Sequence, residues 1–509
     1  WTPPRWGRGS SAPQKRAAGA RQGGALTCAA LQNRGSHFTA RIQVGTPSQN
    51  FDVVADTGSD SVIVTSCVCS QSGHCSADNK CFQGTAKSSS FSMRKIGADG
   101  QVPVVLMAFG SGNIEAVISS DVVRVGSVQT AMDDGLLLMV DQALRLDGPF
   151  EGILGLGLPR PKPLQQRPGP PGPPAARSPL PPPLLPGLPP LGGRPAKPEE
   201  EMVFAPKGFL ERAGVSRFSM CFNEAKDGVL RLGTPEAAAP LGSIGEVHWG
   251  LDFRGISVGD ISSPALFCKK GFLRPGQKSP CGAIPDSGTT VMMAPVEHLQ
   301  VLFTQLCDQW SVCRDSIRTS PELRARPKFE AFQLILQQCS EWIDQGEGLH
   351  GLPPIHLHLR GNAGNMQTLT LPGPAYIMEL MQEEMHHVTK YMNGIFPITV
   401  DEPTGVKKKV CMPAFGTHDY NTVNNGPVWI IGLPLFYEYQ VGYDLKTSPP
   451  SMSFSNAPCG ECSQQTSLFV TSHDVVKSGS NVTTESAVRL PRRRPMFFRG
   501  PMRVPFLNA

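Results

Sequence analysis

One short motif occurs twice in this chain, at positions far apart. The first copy is Asp56-Thr57-Gly58-Ser59 and the second is Asp286-Ser287-Gly288-Thr289. Each copy follows an apolar run and is answered later by two apolar residues and a glycine, Ile153-Leu154-Gly155 and Ile430-Ile431-Gly432. The repeat predicts two similar halves, each of which contributes one carboxylate to a shared site.

Paired carboxylates on glycine-containing turns favour one kind of chemistry. Two carboxyl groups held roughly 3 Å apart cannot both ionise, so the pair shares one proton over a wide acidic range. The ionised member can take a proton from a bound water while the protonated member polarises a peptide carbonyl. This chemistry needs neither a metal nor a cofactor, and the sequence predicts none.

Further landmarks follow in a definite order. They are Ile42-Gln43-Val44-Gly45-Thr46-Pro47 before the first motif, Phe109-Gly110-Ser111-Gly112 as a flap hairpin, residues 150–157 as a closing segment, and 218–222, 228–230 and 429–444 as later strands. Together with the two motifs, this order resembles the pepsin-like aspartic proteases over residues 38–458.

The resemblance implies a mainly β, bilobal fold, with two lobes of the six-stranded-barrel type and an active-site cleft between them. It also implies an aspartic-type endopeptidase in which Asp56 and Asp286 are catalytic. The supporting residues that it implies are Thr57, Gly58, Ser59, Ser287, Gly288 and Thr289.

The same resemblance suggests flap and substrate-binding positions, which are mostly apolar. They are Phe109, Gly110, Ile63, Phe150, Ile153, Thr290 and Ile430. If these residues line subsites, they predict a preference for bulky apolar residues beside the scissile bond. The apolar ones could equally be ordinary core residues.

Three residues depart from the family pattern. The family carries a flap tyrosine that hydrogen-bonds a tryptophan, and those positions read Phe109 and Ile63 here. The two losses agree, because neither polar group is left buried without its partner. Pro285 precedes Asp286, and proline is usually kept out of central strands. Either the N–H at this position is normally unpaired, or the local ladder is perturbed.

These departures leave two functions open. One is an active acid endopeptidase, and the other is a catalytically weak or inactive pepsin-fold binding or inhibitor protein. Intact Asp56 and Asp286 favour the endopeptidase.

The fourteen cysteines indicate an oxidising compartment. Four follow the first motif (Cys67, Cys69, Cys75 and Cys81), and their spacing favours a disulfide-stapled loop over zinc. A cysteine-rich loop at this place resembles the nepenthesin-like and related protist branch of the family. Cys339 and Cys411 resemble the family's second-lobe bridge. Pairing is also expected for Cys268, Cys281, Cys307, Cys313, Cys459 and Cys462, whereas Cys28 and Cys221 have no obvious partner.

Composition divides the chain into five segments. They are a basic leader or prosegment remnant (1–36), an N-terminal lobe (37–158), a proline-rich insertion predicted to be disordered (159–200), interlobe strands with the C-terminal lobe (201–458), and a polar, basic tail (459–509) with a glycosylation sequon at Asn481. Helices are predicted over 296–310 and 329–343.

Several partner classes are excluded or expected from the same features. No run of about 20 apolar residues is present, so no transmembrane helix is predicted. The net charge of +5 comes without a basic, aromatic-laced groove motif, which argues against nucleic-acid binding. We expect a monomeric glycoprotein of the secretory pathway, made as a zymogen and either secreted or held in an acidic compartment. Its expected partners are polypeptide substrates and pepstatin-type inhibitors.

Overall fold

The computed structural model describes residues 27–159, 207–462 and 496–497, apart from short gaps at 96–99, 101, 111, 145–149, 224–225, 235, 237–238, 270, 272, 362–363 and 393–395. Nearly all of the predicted proline-rich insertion, most of the leader and most of the tail, including Asn481, lie outside the described residues.

The predicted mainly β fold is confirmed, since strands account for 43% of the residues and helices for 19%. The strands up to the lobe connection are β1 (Thr27–Asn33), β2 (Phe38–Val44), β3 (Gln49–Asp56), β4 (Val62–Thr65), β5 (Ser92–Met93), β6 (Val104–Phe109), β7 (Gly112–Val125), β8 (Val128–Gln142), β9 (Gly152–Gly155), β10 (Arg217–Cys221), β11 (Gly228–Leu232) and β12 (Leu241–Gly242).

The later strands belong mainly to the second lobe. They are β13 (Leu251–Val258), β14 (Cys281–Pro285), β15 (Met292–Ala294), β16 (Ile355–Arg360), β17 (Met366–Leu371), β18 (Ile377–Met392), β19 (Phe396–Pro413), β20 (Phe415–Thr417), β21 (Asn421–Thr422), β22 (Gly426–Ile431), β23 (Gln440–Asp444), β24 (Ser451–Ser455) and β25 (Met496–Phe497).

The helices are mostly short. They are α1 (Cys67–Gln71), α2 (Gly84–Lys87), α3 (Phe209–Ala213), α4 (Val296–Gln309), α5 (Ser311–Thr319), α6 (Pro321–Arg324), α7 (Lys328–Gln337), α8 (Gly373–Tyr376) and α9 (Leu433–Glu438). Helix α4 matches the first predicted helix. Helix α7 ends earlier than predicted, because a 3₁₀ turn (Cys339–Glu341) begins where Cys339 is bridged to Cys411.

The two sequence motifs occupy equivalent places in the strand order. Strand β3 ends at Asp56 and lies parallel to β9, with Asp56 opposite Gly155. Strand β14 ends at Pro285 and lies parallel to β22, with Pro285 opposite Ile431. The apolar-apolar-Gly segments that answer each motif are therefore the parallel neighbours of the strands that carry the aspartates.

The sheets are larger than two six-stranded barrels. The strands of the first lobe lie in a fourteen-stranded sheet, most strands of the second lobe lie in an eight-stranded sheet, and β19, β18 and β25 form a third. The barrel detail of the prediction is not confirmed. The reason is that interlobe strands, including β23 and β24 from late in the chain, extend the first lobe's sheet through β10, β11 and β1.

Pro285 causes no loss in the strand ladder. The N–H of Asp286 points towards β22 and donates to the carbonyl of Ile431 at 2.9 Å. Because successive residues of a strand point their N–H groups to opposite sides, the backbone nitrogen of Pro285 faces away from β22. Strand β13 lies on that other side, but its pairing with β14 ends at Ala283. Of the two sequence-based alternatives, the structure therefore favours a position where no N–H is needed.

All fourteen cysteines are paired. Cys67–Cys81 and Cys69–Cys75 staple the loop after the first motif, and the Cys339–Cys411 bridge is confirmed. Cys28 bonds Cys462 and Cys221 bonds Cys459, so the expectation of no obvious partner was wrong. These partners are 434 and 238 residues away in sequence, and the interlobe strands bring them together. Cys268–Cys281 and Cys307–Cys313 complete the set.

Within the described ranges, none of the helices is both long and apolar enough to cross a lipid bilayer.

His37 lies between β1 and β2, at the first position of the segment predicted as the N-terminal lobe (37–158). Its side chain is 5% exposed, its Nδ1 lies 3.0 Å from Ser36 Oγ, and its Nε2 has no hydrogen-bond partner. Burial, followed by the charge of Arg34, lowers the pKa of His37 to about 4. The imidazole is therefore neutral in the folded protein at neutral pH.

We predict that His37→Phe makes the protein less sensitive to acid. The folded-state pKa of His37 lies below the ordinary value of about 6.5, so the parent loses stability as pH falls from 6.5 through 4, by up to about 3 kcal/mol. The variant should lack this loss in urea unfolding measured across that range. His350→Phe, at an exposed histidine, is the matched control. Parallel pH curves for the parent and His37→Phe would show that His37 is not held neutral.

Candidate active site

The first motif forms a turn that holds its aspartate from both sides. Asp56 Oδ1 accepts the N–H of Gly58 at 2.8 Å, and Asp56 Oδ2 accepts the hydroxyl of Ser59 at 2.5 Å. The side chain is 7% exposed. The position of the carboxylate at the end of β3 is thus fixed by its own turn.

The second motif repeats this geometry. Asp286 Oδ1 accepts the N–H of Gly288 at 2.9 Å, and Asp286 Oδ2 accepts the hydroxyl of Thr289 at 2.6 Å. Each carboxylate therefore accepts one hydrogen bond from the backbone amide two residues further on and one from the hydroxyl three residues further on, so the two copies of the motif have the same geometry.

Two side chains exchange hydrogen bonds between the motifs. Thr57 N–H donates to Ser287 Oγ and Ser287 N–H donates to Thr57 Oγ1, both at 3.0 Å. The Thr57 hydroxyl donates to Pro285 O at 3.0 Å, and the Ser287 hydroxyl donates to Ala55 O at 2.7 Å. Thr57 and Ser287 are both fully buried. This reciprocal pair of residues holds the two turns against each other.

The glycines of the motifs allow the two carboxylates to approach. A Cβ added to Gly58 would lie 2.8 Å from the carboxyl atoms of Asp286, and one added to Gly288 would lie 2.4 Å from Asp56 Oδ1. Any side chain at either position would push the opposite carboxylate away. The motif therefore needs glycine at both places.

Burial, followed by the neighbouring charge of Asp286, raises the pKa of Asp56 well above the ordinary carboxyl value. The Ser59 hydroxyl and the Gly58 amide oppose the shift but do not cancel it. The two carboxyl groups lie within hydrogen-bonding reach of each other. This arrangement keeps one proton on the pair under conditions where a solvated aspartate is ionised.

Four of the predicted flap and subsite residues lie together in one apolar cluster. Phe109, at the tip of the β6–β7 hairpin, packs against an apolar cluster of the first lobe that includes Ile63, Phe150 and Ile153, and we call these four residues the flap cluster. Ile63 is fully buried, Phe150 and Ile153 are nearly so, and Phe109 is half-buried. Gly110 is exposed at the hairpin tip.

The other two predicted subsite residues lie in the second lobe. Thr290 donates its hydroxyl to the carbonyl of Ser36 at 2.6 Å, which ties the second motif's turn to the first lobe. Ile430 is half-buried on β22, opposite Ile284 and Met293. Neither residue belongs to the flap cluster.

Sequence reasoning missed two residues that contact the motifs. His248 Nδ1 lies 2.9 Å from the carbonyl oxygen of Gly58, and Ser36 accepts the Thr290 hydroxyl. Tyr443 is buried nearby, and its pKa is raised by burial and then by the charges of Asp286 and Asp56. No motif marks these residues, because each is brought to the site from a distant segment by the fold.

One group of potential metal ligands occurs in the described part of the chain, namely Cys268, Cys281 and His298. The two sulfurs form a disulfide, so neither offers a thiolate. His298 Nδ1 accepts the indole N–H of Trp429 at 3.1 Å. This group therefore serves packing and bridging in the second lobe.

Comparisons with known proteins agree with this geometry. Residues 37–168, about a quarter of the chain, match the family model described as eukaryotic aspartyl protease. The chain is 35% identical over 126 residues to pregnancy-associated glycoprotein 1 of Ovis aries. It is 30% identical over 132 residues to pepsin II-2/3 of Oryctolagus cuniculus. Each of these two matches covers 24% of this chain and 30% of the relative.

A longer match extends through both lobes. The chain is 21% identical over 418 residues to the renin of Echis ocellatus, which covers 81% of this chain and 78% of the renin. The chain is thus similar to the pepsin and renin type of eukaryotic aspartyl protease, with a family-model match over residues 37–168 and a lower-identity match over most of its length.

We predict that Ser287→Ala destabilises the protein by about 2–4 kcal/mol. The change leaves the buried Ala55 carbonyl and the Thr57 amide without their partner, and buried unpaired groups are costly. The measurement is the free energy of unfolding in urea. Ser89→Ala is the matched control, because the exposed Ser89 hydroxyl also donates to a carbonyl, that of Thr46, and water can replace it. Equal effects of the two substitutions would contradict the role assigned to Ser287.

We predict that Asp56→Asn stabilises the fold at neutral pH but not in acid. When the pKa of a carboxyl is raised in the folded state, the folded protein becomes less stable as pH rises from the ordinary carboxyl pKa of about 3.9 towards the raised value. Removing the charge should abolish that loss, on the order of 2 kcal/mol near pH 7. Thermal unfolding at several pH values measures the difference, with Asp78→Asn at an exposed carboxyl as control. A pH-independent difference would mean that Asp56 is not held in its protonated form.

Proposed function

We propose that this chain is an aspartic-type endopeptidase that hydrolyses peptide bonds with a water activated between Asp56 and Asp286. The observation that supports it best is the pair of matched turns, in which the buried Asp56 and the half-buried Asp286 are held together by the Thr57–Ser287 exchange. Such a pair carries both a base and an acid in one site.

The chemistry follows from the shared proton. The ionised carboxylate takes a proton from the water, and the water oxygen attacks the peptide carbonyl carbon. The protonated carboxyl gives its proton to the carbonyl oxygen, so a tetrahedral diol forms. The C–N bond then breaks as the carboxyl that took the water proton gives it to the leaving nitrogen, and the other carboxylate takes a proton back from a diol hydroxyl. The amides of Gly58 and Gly288 and the hydroxyls of Ser59 and Thr289 hold the carboxylates in place throughout.

Activity at acid pH is part of this proposal. The pair needs one proton, and the pKa of Asp56 is raised by burial and by Asp286. As pH rises through that raised value, the proton leaves and the acid is lost, so cleavage should fall. The flap cluster supports the further proposal that bulky apolar residues flank the scissile bond, because its exposed edge lies at the hairpin tip.

One observation favours a second candidate, a pepsin-fold binding or inhibitor protein with weak or no turnover. Phe109 and Ile63 belong to an apolar cluster, and neither side chain can donate a hydrogen bond that fixes the flap in a closed position. Loose closure would slow catalysis without removing the cleft.

The setting of the protein is proposed on similar grounds. Seven disulfides support a secretory-pathway protein, either secreted or held in an acidic compartment. The stapled loop at Cys67–Cys81 supports a likeness to the nepenthesin-like and protist branch. We further propose a monomer that binds polypeptides and pepstatin-type inhibitors, with Asp56, Asp286 and the supporting residues as its site.

The direct test is Asp286→Asn. An amide cannot supply the shared carboxyl proton, so cleavage of a casein or peptide-library substrate at acid pH should fall at least about a thousandfold. The variant should stay folded, because Asn can still accept the Gly288 amide and the repulsion within the pair is removed. Asp78→Asn should keep full activity. If Asp286→Asn cuts as fast as the parent, another group performs the hydrolysis.

A further inference from the structure

A cavity of about 200 Å³ opens beside the second motif's turn. Ala283 and Ile284 line it, and they directly precede Pro285 and Asp286 on β14. Two loops form the rest of its wall, one over residues 244–250 before β13 and the other over residues 420–425 before β22. The cavity is separate from the flap cluster, which belongs to the first lobe.

His248 stands between this cavity and the first motif's turn. Its Nδ1 lies 2.9 Å from the carbonyl oxygen of Gly58. Because a carbonyl only accepts hydrogen bonds, Nδ1 must carry the hydrogen. Gly58 in turn donates to Asp56, so His248 is connected to the carboxylate pair through one residue.

The other ring nitrogen, Nε2, is free to meet an occupant of the cavity. His248 is half-buried and lines the cavity, and no protein group is bonded to its Nε2. With Nδ1–H committed to Gly58, Nε2 accepts a hydrogen bond when the ring is neutral. When the ring is protonated, Nε2 becomes a charged donor.

Two sets of acidic groups lie near the ring. Glu246 also lines the cavity, and its carboxylate lies 3.7 Å from Lys278 at a mostly exposed edge. Asp56 and Asp286 lie behind Gly58 with one negative charge between them, and neither of them lines the cavity. Tyr420 adds a neutral phenol, and Asn425 accepts the Ser279 hydroxyl at 3.2 Å.

The remaining walls are apolar and partly exposed. Val247 is 56% exposed and Val423 is 89% exposed, and Ile244 and Val428 complete this surface. An occupant should therefore carry methylene groups along the valines and a polar end that faces His248. Glutamate combines these two features, since its stem is apolar and its end is an anion.

We propose that His248 makes this cavity selective for a substrate side chain that ends in a carboxylate. The inference rests on the proposed endopeptidase function and adds a second specificity to it. The substrate would place an apolar residue against the flap cluster and an acidic residue in the cavity, at a different position relative to the scissile bond.

The experiment compares matched peptides that differ only by Glu or Gln at one position, scanned across both sides of the scissile bond. The readout is the ratio of kcat/KM for the Glu and Gln peptides at about pH 5. At one position the parent should favour Glu about fivefold, as expected for a charge-assisted hydrogen bond in a half-open site. Both values in the ratio come from the same enzyme, so a general loss of activity does not change it.

Two variants and one control sharpen this readout. His248→Asn can still donate to the Gly58 carbonyl but carries no charge, so its ratio should fall to about one. His248→Arg keeps a cation at every working pH, so it should retain the Glu preference. His350→Asn, at an exposed histidine, should leave the ratio unchanged.

The outcomes separate this inference from the proposed function. If the parent cuts peptides but shows no Glu preference at any position, the inference is wrong and the endopeptidase proposal stands. The inference is also wrong if His248→Asn keeps the full preference. If the parent cuts no peptide at all, both proposals fall.

Discussion

The reciprocal hydrogen bonds between Thr57 and Ser287 are the interaction on which the rest of the site depends. They join the two halves of the chain at the point where β3 and β14 end. Both side chains are fully buried, so water cannot replace these bonds. They hold close together two carboxyl groups that would repel each other if both were ionised.

The electrostatics of the site follow from this constraint. Once the turns are held together, glycine at positions 58 and 288 lets each backbone approach the opposite carboxylate. Burial and proximity then force the pair to keep a proton, which raises the pKa of Asp56. Further contacts between the halves add to the exchange, namely Thr290 to Ser36 and His248 to Gly58. The chemistry proposed for the site is thus a consequence of how the two lobes meet.

Local repeats in the sequence predicted the parts of the structure that are local. The strand ends at Asp56 and Pro285 and the supporting hydroxyls of Ser59 and Thr289 were predicted from short motifs. The contact of His248 with Gly58 and the Cys28–Cys462 bridge could not be predicted, because they join segments with no shared pattern. The fold accepts Pro285 because the pairing of β13 with β14 ends at Ala283, and the end of that pairing is set by tertiary structure. The six-stranded barrels are not confirmed for a similar reason, since interlobe strands from late in the chain enlarge the first sheet.

The most direct test of the shared-proton account is peptide cleavage between about pH 3 and 9, with and without pepstatin. The account predicts cutting that falls only as pH passes the raised pKa of Asp56, where the pair loses its proton, and that is blocked by pepstatin at stoichiometric levels. Cutting that does not fall even above that pKa, or that ignores pepstatin, would contradict it. Pepstatin binding without any cutting would instead favour the binding-protein alternative.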